Sequence, residues 1–156
     1  MENEIKKILN LFNSGDFNNA IRKAKILSRG NPKNSFLKNL IGSAFLQINN
    51  TNEAIKNFNL SIDLSPKNIA ARNNLANAYK TKGEYKLAEK CYKKILEYTP
   101  NYLLALVGYG NLKITLNETY DAIQLLNKAI SIKPDYYAAH FNLATAYQTI
   151  GKYTDA

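Results

Sequence analysis

The chain has 156 residues, 46% of them hydrophobic and 21% charged, with one cysteine, one histidine and a formal net charge of +9. The lone Cys91 excludes an internal disulfide, and the lone His140 excludes a site built on two histidines. No apolar run is long enough to cross a bilayer, and the N-terminal MENEIKKILNLF lacks the apolar core and cleavage site of a secretion signal, so the reading is a soluble, cytoplasmic protein. The positive charge would suit acidic partners, but lysines spread over solvated helix faces account for it better. Asn, Lys, Ile and Tyr are abundant and Arg is rare, the coding bias of an AT-rich genome, so lysine and asparagine counts alone carry little.

In residues 1–34, Ile5, Ile8, Leu9 and Phe12 form one stripe at helical spacing, followed by Gly15, Asp16, Phe17, Ala20 and Pro32. Residues 35–68 carry Ile41, Gly42, Phe45, Ala54, Phe58 and Pro66. In residues 69–102 the spacing of Ala71, Leu75, Ala78 and Tyr79 predicts a helix over 70–81. Gly83 interrupts it, and Ala88, Tyr92, Ile95 and Leu96 predict a second helix over 85–98, closed by Pro100. Residues 103–136 carry Gly110, Ala122, Leu126, Ala129 and Pro134, with Lys113 where an aromatic is expected. Residues 137–156, YAAHFNLATAYQTIGKYTDA, start the pattern again through Tyr153 and Ala156.

The punctuation is periodic. Pro32, Pro66, Pro100 and Pro134 are the only prolines, each 34 residues from the next. Gly15, Asn49, Gly83, Asn117 and Gly151 keep that period at the predicted turns, as do the small residues Ala20, Ala54, Ala88, Ala122 and Ala156. Glycine, and next asparagine, best tolerates the left-handed residue just past a helix end. Each proline disfavours helix at the residue before it, so Asn31, Ser65, Thr99 and Lys133 mark the ends of the second helices. A helical hairpin of this size cannot bury its own apolar faces and needs neighbours.

A period of 34 residues in helix-turn-helix units resembles the tetratricopeptide repeat (TPR) family over the whole chain. The resemblance implies an all-α, right-handed superhelical solenoid of antiparallel helix hairpins, a single array over 1–156. Repeat 1–34 is atypical and capping, 35–68, 69–102 and 103–136 are complete, and 137–156 is incomplete. In the first repeat, Lys7 and Ile8 stand where a large apolar and a small residue are expected. Gly42, Ala76, Gly110 and Ala144 would let the two helices of each hairpin approach, with Phe45, Tyr79 and Tyr147 filling the space one turn later. The helix of Phe141, Leu143 and Tyr147 would lack its partner and expose an apolar surface. The expectation is a piece of a longer protein, with self-association through the unpaired last repeat as a further route to a partner.

No catalytic constellation stands out, so the reading is a non-enzymatic chain without cofactor or metal. The Gly-x-Gly of VGYGNL, residues 107–112, lacks a third glycine and a preceding strand, and helix packing explains it. His140 reads as a surface or groove residue, Cys91 as second-helix packing, and the sequon at Asn117 as chance. In the family the first helices line a concave groove that takes extended peptides. Here its lining would be Asn39, Ser43, Asn73, Asn74, Asn77 and Thr81, then Asn111, Thr115, His140, Asn142, Thr145 and Thr149. The candidate peptide-binding residues are Asn39, Asn73, Asn74, Asn77, Asn111 and Asn142. An asparagine amide is both donor and acceptor and can pair with any peptide backbone.

This surface resembles the asparagine-lined groove of O-linked N-acetylglucosamine transferases. Asn74 and Asn142 match the ladder, and Leu40 and Gly108 break it. The alternative reading, motivated by the ungapped repeats and the abrupt stop at Ala156, is the N-terminal substrate-recruiting region of a larger enzyme, such as a glycosyltransferase of that kind or a sulfotransferase. The clamp with which TPR co-chaperones grip acidic carboxy-termini is not matched, since Asn73, Asn77, Ala138 and Asn142 stand where its lysine, asparagine and two cations belong. Lys86, Lys90, Lys93 and Lys94 make one local cluster rather than a row across several repeats, which reads as a solvated convex face and argues against nucleic acid. The expected partner is a protein or peptide held in the concave groove.

Overall fold

A computed structural model describes residues 1–154, with side chains described as far as Gly151. The expected small residue Ala156 and the side chain of Tyr153 lie outside the described residues. Among the described residues there are nine α-helices and no strand: α1 Glu2–Asn13, α2 Phe17–Gly30, α3 Ser35–Gln47, α4 Thr51–Leu64, α5 Ile69–Thr81, α6 Tyr85–Tyr98, α7 Leu103–Thr115, α8 Thr119–Ile132 and α9 Tyr137–Thr154.

Local chemistry sets these boundaries. Asp16, Asn34, Asn50 and Asn68 cap α2 to α5, accepting from the N–H groups of Asn19, Leu37, Glu53 and Ala71 at 3.2, 3.1, 3.3 and 3.0 Å. Asn31, Ser65, Thr99 and Lys133 follow the second helices directly, as the prolines require. Gly15 and Gly83 take φ +81°, and Asn49 and Asn117 take φ +59°. Gly151 departs from this series. It lies inside α9, which continues helical to Thr154, so the expected turn is not formed there. At the other four positions the left-handed residue precedes a new helix cap, and only such a change of direction demands it.

The chain forms two compact units, Met1–Gly83 and Glu84–Ala156, divided at the turn inside segment 69–102. In the first, α1 packs on α2, α2 on α3, α3 on α4 and α4 on α5. In the second, α6 packs on α7, α7 on α8, and α9 on both α7 and α8. The core of the second unit is Leu106, Val107, Ala122, Leu126, Ala129 and Ala139.

The hairpins close through a large residue set against a small one. A Cβ on Gly42 of α3 would lie 2.7 Å from the Phe58 ring of α4, and one on Gly110 of α7 would lie 2.8 Å from Cγ of Leu126 of α8. In α1 and α2 the sizes are reversed, Ile8 being large and Ala24 small, each 1% exposed. Ile8, unusual against the family pattern, therefore preserves the filled volume. Phe45 is buried as expected. Tyr147 is not: it is 54% exposed, because α9 packs through the side carrying Ala139 and Leu143. Phe141 is exposed as well, its ring stacked at 6.1 Å on Tyr137.

Candidate functional site

In the first unit, α3 and α5 bring Asn39, Ser43 and Asn74 together. One amide nitrogen, Nδ2 of Asn74, donates to Oδ1 of Asn39 at 3.1 Å and to Oγ of Ser43 at 3.3 Å. In the second unit, α7 and α9 repeat the device: Nδ2 of Asn111 donates to Oδ1 of Asn142 at 3.2 Å. Each pair ties adjacent first helices, and the Nδ2 groups of Asn39 and Asn142 stay outside these bonds. All four residues are half-buried, as is Asn77 on α5. Neighbouring hydroxyls are less available. Thr81, Thr115, Thr145 and Thr149 donate to their own helices, at Asn77, Asn111, Phe141 and Thr145 carbonyls. Nε2 of His140 lies 2.7 Å from the Pro134 carbonyl, a bond that needs its proton on that nitrogen.

Asn73 is a correction. It is only 5% exposed and its Oδ1 has no hydrogen-bond partner, so it does not belong to an open polar face. Its equivalent on α7, Val107, is buried too, whereas the equivalents Asn39 on α3 and Phe141 on α9 are half-buried and exposed, so the neighbours of α5, not the repeat register alone, cover it. The breaks in the asparagine ladder also have causes. Leu40 is core, and a Cβ on Gly108 would lie 2.8 Å from the Tyr92 hydroxyl oxygen. Gly108 and Gly110 thus serve helix packing, as read from the sequence.

Lys113, at the position of an expected aromatic, is 6% exposed and joins α6, α7 and α8. Its ammonium donates to Glu89 at 3.1 Å, pairs with Glu118, and lies 3.7 Å from Asp121. The Tyr109 hydroxyl donates to the same Glu89 oxygen at 2.7 Å, and Lys93 pairs with it at 3.0 Å. The bonds from Tyr109 and Lys93, and then that from Lys113, pull the Glu89 carboxyl down to about 2. Burial alone would lower the Lys113 pKa, but its carboxylate bonds outweigh burial and raise it. Sequence reasoning missed this cluster, whose signal was a lysine at an apolar position with Glu118 five residues on. Elsewhere on α6, Lys86 and Lys90 are exposed and Lys94 pairs with Glu97 at 2.9 Å, a solvated face.

A family model described as TPR repeat matches residues 42–83 and 110–151, more than half of the chain, and one described as tetratricopeptide repeat matches 69–102. The chain belongs to the tetratricopeptide repeat family. Its fold is the all-α TPR solenoid. A thermophilic TPR protein of Thermus thermophilus matches it with TM-score 0.84 and 19% identity, over 96% of this chain and 82% of that one. A TPR protein from Parabacteroides merdae matches with TM-score 0.81 and 25% identity, over 98% of this chain and 61% of that one. The first TPR of Spaghetti (RPAP3), bound to the HSP90 peptide SRMEEVD, matches with TM-score 0.72 and 19% identity, over 75% and 95%. No curated protein sequence matches the chain.

Four of the five first helices, all but α1, share one further property. The ranges of α3, α5, α7 and α9 contain no aspartate or glutamate, while Lys38, Arg72, Lys80, Lys113 and His140 lie on them. Every acidic side chain up to residue 154 belongs to α1, a second helix or a connection. Among the described residues no group of His, Cys, Asp or Glu could hold a metal ion, and no helix is long and apolar enough to cross a membrane.

Proposed function

We propose that this chain is a protein-interaction scaffold that takes an extended peptide or protein segment on the polar faces of its first helices. The observation that carries the reading is the amide pairing of Asn74 with Asn39 and of Asn111 with Asn142. An amide already anchored to its neighbour is held in one orientation, so less freedom is lost when its remaining groups meet a peptide backbone. The absence of carboxylates from α3, α5, α7 and α9 favours a neutral or acidic segment. The SRMEEVD peptide held by the related fold of Spaghetti is of that type. This chain lacks the cationic clamp pattern, so backbone pairing rather than carboxylate capture would supply the contacts, with affinity on the order of micromolar.

The test is an array of short, unstructured peptides probed with the wild type and with two double variants, Asn39→Ala/Asn74→Ala and Asn111→Ala/Asn142→Ala. Each variant should keep its helical circular dichroism and weaken captured peptides by on the order of tenfold, the loss of about one hydrogen bond. Unchanged affinity in both variants would remove the reading.

A further inference from the structure

Between α2, α3 and α4 lies a recess of about 410 Å³ lined by Lys25, Ser28, Arg29, Lys38, Lys56 and Asn57 together with the carboxylate of Glu53. Four cations face one carboxylate. Glu53 pairs with Lys56 at 3.9 Å, and Lys25 lies 4.8 Å above the Phe45 ring. Arg29 and Lys38 form no ion pair among the described residues. Ser28 is 4% exposed, and its hydroxyl has no hydrogen-bond partner. A helical serine can bond back to the carbonyl four residues earlier, and this one does not, so its O–H is left available to a group held in the recess.

The repeat supplies an internal control. One, two and three periods after Ser28 stand Ile62, Leu96 and Ile130, so this hydroxyl replaces an apolar residue. The equivalents of Asn57 are Lys23, Cys91 and Leu125, and those of Arg29 are Asp63, Glu97 and Ser131. A small polar floor under a cationic rim therefore occurs in this recess and not at its repeat equivalents. Nδ2 of Asn57 is held by the Glu53 carbonyl at 2.8 Å, which fixes that floor.

We infer that this recess binds a dianionic phosphate group, as the free ion or as a small monoester. Arg29 supplies a planar fork of N–H donors, the lysines supply charge, and Ser28 supplies a buried O–H donor. A dianion matches the excess of cations better than a carboxylate does. Pro32 and Ile41 add an apolar wall on which the organic part of a monoester would rest.

Titration of the full chain with inorganic phosphate, followed by the amide NMR shifts of Ser28 and Arg29, should saturate. Acetate at equal ionic strength should not. Arg29→Gln/Lys38→Gln should weaken phosphate by on the order of tenfold or more. Ser28→Ala should weaken it without changing the net charge. The control Lys86→Gln/Lys90→Gln, which removes equal charge from α6, should leave it unaltered. Glycerol phosphate binding more tightly than phosphate assigns the site to a monoester, and equal binding assigns it to the free ion. Non-saturating shifts, equal response to acetate, or an equal loss in the α6 control would overturn the inference.

Discussion

At the scale of single residues, the hairpins are fixed by volume. Gly42→Val would drive side-chain atoms into the Phe58 ring and should lower stability by about 1–3 kcal/mol in urea unfolding. Phe58→Ala should lower it by about 3–5 kcal/mol. Gly42→Ile/Phe58→Ala restores the arrangement of Ile8 and Ala24, so its loss should fall clearly below the sum of the single changes. Lys113 obeys a different rule. Lys113→Met leaves Glu89 with two of its donors, and loss of one charge-assisted bond should cost about 1.5–3 kcal/mol. Glu89 also sets a pH dependence. Its folded pKa, about 2, lies below its ordinary 4.5, so its contribution is complete above pH 4.5 and is lost as the pH falls toward 2. Melting temperatures of Glu89→Gln should therefore fall less than those of the wild type across that window. Ile8 and Lys113 both looked like departures in the sequence. The sequence marked where they stood but not what balanced them, because each is compensated by a residue on another helix.

At the scale of helices, asparagine has work that composition could not reveal. Asn34, Asn50 and Asn68 are caps, and Asn49 and Asn117 hold left-handed turns. Asn68→Ala should cost about 1 kcal/mol, measured by chemical denaturation, with no change in helix content of the native state. The coding bias inferred from asparagine abundance is thus no argument against individual asparagines. Helix limits were legible because proline and turn chemistry act locally. The continuation of α9 through Gly151 was not, since a glycine permits a left-handed turn without enforcing one. The polar face was legible in part. Asn39, Asn74, Asn111 and Asn142 pair across adjacent helices, while Asn73 is buried, because helical spacing alone does not tell which side a neighbouring helix covers.

At the scale of the whole molecule, carboxylates are unevenly shared among the helices. With a net charge of +9, carboxylates are still absent from α3, α5, α7 and α9. On the proposed reading, Asn39→Asp/Asn142→Asp should weaken acidic peptides more than neutral ones. The difference should shrink with added salt, because exposed charges are screened over about 8–10 Å at physiological ionic strength. Fluorescence anisotropy with one acidic and one neutral peptide reads that ratio. The 34-residue period made the family legible at once, whereas the recess at Ser28 emerged only when the repeats were compared at one position and its surroundings were seen.

The reciprocal sizes at Ile8 and Ala24, at Gly42 and Phe58, and at Gly110 and Leu126 also constrain how such a chain can grow or recombine. A crossover inside a hairpin would join a bulky first helix to a bulky second one, or leave a void between two slim ones. Exchange at the prolines keeps each matched pair intact. The smallest heritable module of this protein is therefore the whole hairpin, and chimeras cut at residues 32 or 66 should fold where those cut at residues 15 or 49 do not.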